Sequence, residues 1–596
     1  MNLKAHYQLD LIFSGPLISQ AAGTLKFGVD TAMQRYRKQP VLNGSLVRGN
    51  IRSTLEEFSA LLDHSLDEKI SGWFGYKSEN SDRKSESPQT HHYDSDRALV
   101  DFDCFWTLQA DEAIRETQRI RIAIDEERGT VDKGSLQVIE DCFPAGGPPV
   151  TFRGKLLVRY RRNHEKHEFI EWLGKALDYI PAMGSFKGVG FGRVEGWKLT
   201  EIDSKKPGSK KSAQLPGNVT RFGLKMTIDR PFCLGRPKTP DSNRIVSADT
   251  IGGNVIKALI AREYDNDSKK LNELLCFDDL IISHGLPSKQ SLCRREPPLP
   301  LSLALVNKKV TDLSSVIDET QVDFQIAPVF KPDWKEKDYR LANRELGRSE
   351  IDPDRYLMVR TEIDREHGIS KERRLFSLEC TDPYDHVWCA DIELCRIPEY
   401  KRAAVFEKLQ AIFKQGLTGM GKTKAAIEFQ MVPAFTNPAR PSAWRDDLFI
   451  VTLVTPARLL LSELTLAGVN SHDGLKKLYS GYWKQQHAGI ELKTYFAAQE
   501  LAGSYYFQRK HRHEVQYRPE WLTVAGSVFV LRISDPEALK LLEDWQKTGL
   551  PAHSGLDRGR VDWRTTPYLP EHGFGEIIVN DPKQLDLLYV SAKASA

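Results

Sequence analysis

The chain opens on alternating apolar and polar positions. YQLDLIFSGPL (residues 7–17) has the period of two that marks a half-buried strand. A turn-rich loop follows, AAGTLKFGVDTAMQRYRKQPVLNGS. The period then switches to that of a helix in LVRGNIRSTLEEFSALLD. The same succession returns from residue 221: RFGLKMTIDRPFCLG as a strand, a polar loop, and IVSADTIGGNVIKALIAREY as a helix. The two helix starts align Arg48-Gly49-Asn50-Ile51 with Gly252-Gly253-Asn254-Val255.

A second pairing is sharper. RIAIDEERG (121–129) and RTEIDREHG (360–368) share R-x-x-I-D-x-E-x-G. Each leads into further strands, FRGKLLV or WCADIEL, and then an amphipathic helix, EFIEWLGKALDYI or AAVFEKLQAIFKQ. A glycine-rich loop comes next, GSFKGVGFG (184–192) or GLTGMGKTK (416–424), and a strand closes the unit, RVEGWKL or AAIEFQM. The ending occurs a third time: DPEALKLLEDWQ, then HGFG (572–575), then EIIVND, with DLFIVTLVTPARLLL (447–461) as the opening strand. Repeats of one supersecondary pattern predict an α+β chain of multiple ferredoxin-like or RRM-like β-α-β-β-α-β units with insertions.

The length of 596 residues exceeds what one hydrophobic core fills, so several domains are expected. SKKPGSKKSAQLPGN (204–218) has the composition of a flexible linker, and FTNPARPSAW (435–444) that of a short loop between units. The predicted divisions are 1–203, the linker 204–218, 219–434, 445–580 and a tail 581–596. KSENSDRKSESPQTHHYDSD (77–96) has too few apolar residues to form a core.

Hydrophobic residues at 40% and charged residues at 28% exclude a disordered chain. A net charge of +3 neither demands nor excludes nucleic acid, so a basic surface must come from local clustering. The eight cysteines include no C-x-x-C pair, which argues against a zinc ribbon. Without a disulfide framework, a signal-peptide pattern or an apolar run near the roughly 18 residues of a membrane span, a cytoplasmic protein is expected.

GLTGMGKT (416–423) fits the nucleotide-clamp pattern G-x-x-x-x-G-K-[ST] letter for letter. A phosphate clamp follows a strand and opens a helix, so that helix-terminal N–H groups meet the phosphates. Here the predicted order is reversed, helix before and strand after. The remaining readings are a tight glycine turn, or a loop that lets an RNA backbone approach closely.

With these motifs assembled, the sequence resembles the RAMP superfamily of CRISPR-associated proteins, particularly subunits of type III interference complexes. FGVDTAMQRYRKQPVLNGSLVRGNIRSTL is similar to the family's first loop and helix. RIAIDEERGTVDKGSLQ and RTEIDREHGISKERRLFSLE resemble its R-x-x-I-D segment, and GSFKGVGFGRVE its glycine-rich loop. Residues 1–203 look like a backbone subunit that repeats along the guide RNA. Residues 219–580 look like the two-unit subunit that caps the guide's 5′ handle. Asn43 and Gly252 depart from the family's pattern, and Gly252 weakens the expectation of a guide contact at the second helix start.

The resemblance implies a fused subunit that binds guide crRNA and cleaves complementary target RNA. It implies as partners a large polymerase/cyclase-type subunit, further backbone subunits and a small subunit. Asp30 would be the catalytic residue and would hold a divalent metal, Mg²⁺ or Mn²⁺. RNA carries its own nucleophile, the 2′-OH, so a carboxylate that orients it or holds an ion can contribute to cleavage. The second unit has no acid in the matching place, since Asp241 comes too late, so one cleavage site per chain is expected.

Phosphate contacts are expected from Lys26, Arg35 and Arg37 around that loop. Ser45, Arg48, Asn50 and Arg52 lie at a helix start, where free N–H groups and the dipole favour a phosphate. The first glycine loop offers Lys187, Gly188, Gly190 and Arg193, with Phe191 expected to be core. The second offers Lys422 and Lys424. Arg509, Lys510 and Arg512 lie in YYFQRKHRH (505–513), where cations interleave with aromatics that can stack on bases. His91-His92 is a poor metal site, and Asp125 and Asp364 fit turn roles. Two alternatives stay open: a non-catalytic guide-binding subunit, including one built of two fused backbone-type units, and a guide-processing endoribonuclease.

Overall fold

The computed structural model describes residues 3–21, 28–62, 64–75, 98–109, 114–115, 117–125, 127–202, 219–236, 242–264, 266–317, 327–363, 370–461, 472–503, 520–554 and 567–590. The fold is α+β, with mostly antiparallel sheets. The chain divides into two compact units, Met1–Ser209 and Lys210–Ala596.

In the first unit, strand β1 (Leu3–Phe13) buries Ala5, Tyr7, Leu9, Leu11 and Phe13, every second residue, as its alternation predicts. The hairpin β2 (Arg35–Tyr36) and β3 (Gln39–Asn43) leads into α1 (Gly44–Leu61) and α2 (Leu66–Phe74). Strands β4 (Val100–Phe102) and β5 (Phe105–Leu108) follow, then a two-stranded ribbon, β6 (Thr117–Arg121) with β7 (Gln137–Asp141). The unit closes with β8 (Val150–Tyr160), α3 (Asn163–Tyr179) and β9 (Val194–Ile202).

β1 lies between β8 and β9, antiparallel to both, and β4 and β5 pair with the far edge of β8. That is the strand order of a β-α-β-β-α-β unit. Helix α1 buries Val47, Ile51 and Leu55, and α3 buries Phe169, Leu173, Ala176 and Leu177. Spacings of three and four put each set on one helix face, where it joins the core of β1 and β8. Each such fully buried aliphatic or aromatic side chain contributes about 1.5–3 kcal/mol.

The second unit repeats this order twice. Its first sheet uses β10 (Arg221–Ile228), with β11 (Arg244–Val246) in a side sheet; α4 (Gly253–Glu263) and α5 (Ser268–Leu275) follow. Strands β12 (Ile281–Ile282) and β13 (Leu286–Lys289) pair with β19 (His386–Glu393), β19 with β10, and β10 with β21 (Ala425–Val432). Helix α7 (Glu399–Gln415) links β19 to β20 (Leu417–Met420), which pairs with β21. Residues 290–385 contribute to two small sheets: β14 (Leu303–Val306), β15 (Lys309–Asp312) and β16 (Val329–Phe330) form one, and β17 (Arg355–Ile363) and β18 (Ser370–Thr381) join the earlier β11 in the other. Helix α6 (Glu336–Glu345) lies between them in sequence.

The third sheet orders β23 (Ile490–Phe496), β26 (Val528–Ile533), β22 (Leu448–Leu453) and β27 (Ile577–Val579). Strands β24 (Gln499–Ala502) and β25 (Glu520–Thr523) pair separately. Helix His472–Gln486 and strand β23 complete the third repeat, although alternation alone does not mark them. The opening strand is shorter than 447–461: it ends at Leu453. Pro456 has no N–H to continue a ladder, and Ala457 turns to pair with Thr523. The linker 204–218 and the segment 77–96 lie outside the described residues.

Candidate nucleic-acid interface

Asp30 sits exposed at the end of the first loop and is held from two sides by β7. Its N–H donates to Val138 O at 2.8 Å, and its Oδ2 accepts from Val138 N at 2.7 Å. The chain then runs alongside β7: Glu140 N donates to Thr31 O at 2.9 Å, and Met33 N to the Glu140 carboxylate at 2.9 Å. The ribbon therefore fixes the aspartate's position. Among the described residues no three His, Cys, Asp or Glu side chains form a metal cage. One exposed carboxylate suits an ion that keeps its waters and shares a substrate phosphate, the habit of magnesium, and does not suit an all-protein site.

Around Asp30 the expected cations separate. Arg35 makes a bidentate pair with Glu140, at 2.7 and 2.9 Å, and also reaches Cys142 Sγ at 3.4 Å. Glu140 is 2% exposed, and its hydrogen bonds hold the Arg35 guanidinium even more firmly protonated. Arg35 thus serves as a strut of the loop. Sequence alone misses Glu140, which lies 105 residues away. Arg37 is exposed at the hairpin tip, 4.9 Å over the Tyr36 ring, which itself stacks on Phe105 at 4.6 Å. Arg37 and Lys38 both take left-handed backbone, φ 52° and 67°, the geometry a two-residue hairpin requires and non-glycine residues resist. Lys26 lies outside the described residues.

At the start of α1, Ser45 is exposed within the first turn. Arg48 donates to Phe74 O, at the last turn of α2, and Arg52 pairs with Glu56 at 2.9 Å along its own helix. Asn50 accepts from Lys187 Nζ at 3.4 Å, which brings the glycine loop to the helix start.

That loop divides by the role of its glycines. A Cβ on Gly184 would meet Ile18 O at 2.6 Å, and one on Gly192 would meet Met183 O at 1.9 Å, so both are required by the chain's own packing. A Cβ on Gly188 or Gly190 would meet open space, and of the two only Gly190 has a left-handed φ, 87°. Lys187, Gly188 and Gly190 are exposed. Arg193 is exposed and pairs with Glu195 at 3.3 Å. Phe191 is core, 2% exposed, as expected, and Phe186 leans on it with centroids 5.6 Å apart. Arg119 and Arg121 lie 5.3 Å over the Phe191 and Phe186 rings. Sequence reasoning omits these two cations, yet their i, i+2 spacing on β6 marks one face.

The second loop is a hairpin tip between β20 and β21, preceded by α7. The order helix, strand, turn, strand is not that of a phosphate clamp. Lys422 and Lys424 are exposed, with Lys424 left-handed at φ 57°. Lys422 N donates to Cys233 O at 2.9 Å. A Cβ on Gly416, Gly419 or Gly421 would meet Ile427 O at 2.9 Å, Arg262 Nη1 at 3.2 Å or Cys233 O at 2.5 Å.

The third loop is buried. His572 and Phe574 lie inside, and Gly573 would meet Ile282 O at 2.6 Å with a Cβ. His284 stacks edge-on to Phe574 at 4.6 Å, and Arg295 pairs with Glu576. Burial pulls His284 down to about 3 and His572 down to about 4. This loop therefore joins the second unit's two large sheets.

Asp125 caps a turn, its Oδ1 accepting from Glu127 N at 3.0 Å and Arg128 N at 3.1 Å. Asp241, Asp364, His91-His92, Arg509, Lys510 and Arg512 lie outside the described residues. Among the described residues no helix is long and apolar enough to cross a membrane.

No protein-family model and no curated protein matches the chain. Chains in three solved structures are similar in part. One is from the cryo-EM structure of the Type III-B Cmr-beta bound to cognate target RNA: 13% identity, TM-score 0.23, 33% of this chain and 61% of that one. A second is from the apo state of the Type III-B Cmr-beta: 13% identity, TM-score 0.24, 34% and 98%. The third is from the complex with target RNA and AMPPnP: 12% identity, TM-score 0.29, 52% and 86%. Likeness of this degree assigns neither activity nor partners.

Proposed function

We propose that the chain is a subunit of a type III CRISPR ribonucleoprotein that binds guide RNA and cuts complementary target RNA at Asp30. The observation that carries this reading is the first unit's arrangement: an exposed, rigidly placed Asp30, and a glycine loop whose central glycines face open space beside Lys187. The resemblance of the first loop, the R-x-x-I-D segment and the glycine loops to RAMP proteins supports it. In this reading the exposed backbone at Gly188 and Gly190 lets a guide phosphate approach, and Lys187, Ser45 and Arg193 bind it. Arg37 is a further proposed phosphate contact of the first unit, and Lys422, Lys424, Arg509, Lys510 and Arg512 are proposed guide-RNA contacts of the second unit. Asp30 would hold Mg²⁺ or Mn²⁺, which supplies charge neutralisation at the phosphate, and Asp30 itself orients the 2′-OH. The further subunits named by the resemblance, large, backbone and small, are the proposed partners.

The two hydrogen bonds between Asp30 and Val138 favour a second reading, in which Asp30 only shapes the loop and the subunit binds guide without cutting. Purification from the native host tests both: each expects short co-purifying RNAs with a constant 5′ end. Incubation with complementary RNA and Mg²⁺ or Mn²⁺ then separates them. Regular cleavage that disappears in Asp30→Ala supports the first reading, and absence of cleavage in the parent complex supports the second.

A further inference from the structure

In the second unit two cysteines face each other across the junction of β13 and β19. Cys389 lies within β19, opposite Leu286 of β13 and Lys225 of β10, and is 0% exposed. Cys293 lies in the turn after β13, partly exposed, with its N–H on Lys289 O at 3.0 Å. Their sulfurs stand 3.9 Å apart, in contact but unbonded. Cys293 also takes a left-handed φ of 46°, a conformation that a residue with a Cβ resists. That conformation aims its thiol at Cys389.

We propose that the Cys293–Cys389 pair is a site of reversible oxidation, closing to a disulfide when the protein meets hydrogen peroxide. The exposed member has the nucleophile's surroundings. The Cys389 thiol donates to Cys293 and Lys225 adds positive potential, and both hold the Cys293 thiol below its ordinary value. The buried member is the resolving thiol. The Cys293 thiolate attacks one peroxide oxygen, the O–O bond breaks, and the leaving oxygen takes a proton and departs as water. The Cys293 sulfur is now a sulfenic acid. The Cys389 sulfur attacks it, its thiol proton passes to the departing hydroxyl, and a second water leaves as the S–S bond forms. Two thiols and one peroxide give one disulfide and two waters. The sulfurs need only close from contact to about 2.05 Å.

The segment that would be stapled has consequences for the fold. Arg294 N bonds Ser288 Oγ at 2.9 Å, and the next residue, Arg295, pairs with Glu576 just after the third glycine loop. A disulfide at Cys293 anchors this arm to β19 and so stiffens the joint between the second unit's two large sheets. Cys233 and Cys380, also neighbours, are both fully buried and serve as the internal control.

The test uses the full-length chain, reduced and then treated with hydrogen peroxide. Free thiols are alkylated in denaturant and the non-reduced digest is read by mass spectrometry. The expected product joins the Cys293 peptide to the Cys389 peptide with loss of two hydrogens, and dithiothreitol reverses it, while Cys233 and Cys380 are recovered alkylated. In Cys389→Ser, Cys293 should accumulate as a sulfenic acid that dimedone traps. In Cys293→Ser, Cys389 should stay reduced. Recovery of both cysteines as alkylated thiols, or overoxidation of Cys293 without a link to Cys389, would overturn the proposal.

Discussion

The loops at 184–193 and 416–424 occupy the same place in two repeats, after the second helix and before the last strand, yet their glycines do different work. In the second loop every glycine answers to the chain itself: Gly416, Gly419 and Gly421 are all left-handed and all confront an atom of the protein. In the first loop that holds for Gly184 and Gly192, while Gly188 has neither a left-handed φ nor a neighbour. A glycine with no internal reason costs backbone entropy for nothing unless something outside the chain approaches it. The motif that looks most like a ligand site in the sequence is thus the better explained as a fold element, and the less conspicuous loop carries the ligand argument.

The largest expected effects test the packing half of this contrast. Gly192→Ala should destabilise the first unit by on the order of 3 kcal/mol, because a clash with Met183 O is added to a left-handed φ. Gly421→Ala should cost the second unit roughly 2 kcal/mol, through Cys233 O. Denaturant unfolding measures both, and a neutral Gly421→Ala would erase the internal explanation of the second loop.

Acid should also destabilise the second unit. His284 is buried and held down to about 3, against an ordinary value of 6.5, so the unfolded chain binds the proton and the folded chain does not. Its stabilising contribution is complete above pH 6.5 and is lost as pH falls toward 3; at pH 5 the loss is on the order of 2 kcal/mol. His284→Phe preserves the edge-on contact with Phe574 and should flatten the fall in second-unit stability between pH 8 and pH 5. An unchanged pH profile would contradict the assignment.

Smaller effects test the ligand half. Lys187→Ala should weaken RNA binding and lower its log–log salt slope by about one, as expected for a single phosphate contact. Lys422→Ala tests whether the second loop contributes equally, and no change there would leave it a structural turn. Gly188→Ala should leave stability within about 0.5 kcal/mol of the parent and still weaken RNA binding. Undiminished binding would remove the contrast between the loops.

Much of this architecture is written in local patterns. The alternation of β1, the helical spacing of α1, α3 and α7, and the recurrence of helix, glycine loop and strand each reflect which face a residue turns to the core. What the pattern omits depends on partners distant in sequence. Arg35 reads as a phosphate ligand until Glu140 is brought to it, and Arg119 and Arg121 read as surface until Phe186 and Phe191 come beneath them. Helix His472–Gln486 buries Tyr479, Tyr482 and Trp483, and its two adjacent buried aromatics blur the helical period. Alternation likewise overextends β22, because Pro456 ends its ladder while the apolar run continues.

Asp30→Asn in the purified ribonucleoprotein, incubated with complementary RNA and Mg²⁺ or Mn²⁺, tests the central claim most directly. Asparagine retains an oxygen that can accept from Val138 N, so the loop keeps its geometry, but it lacks the charge that chemistry at the phosphate requires. The account predicts unchanged guide and target binding with cleavage reduced at least about 100-fold, the scale on which a positioned acid–base group acts. Cleavage by Asp30→Asn at the parent rate would show that Asp30 only holds the loop and that cutting, if any, is done elsewhere.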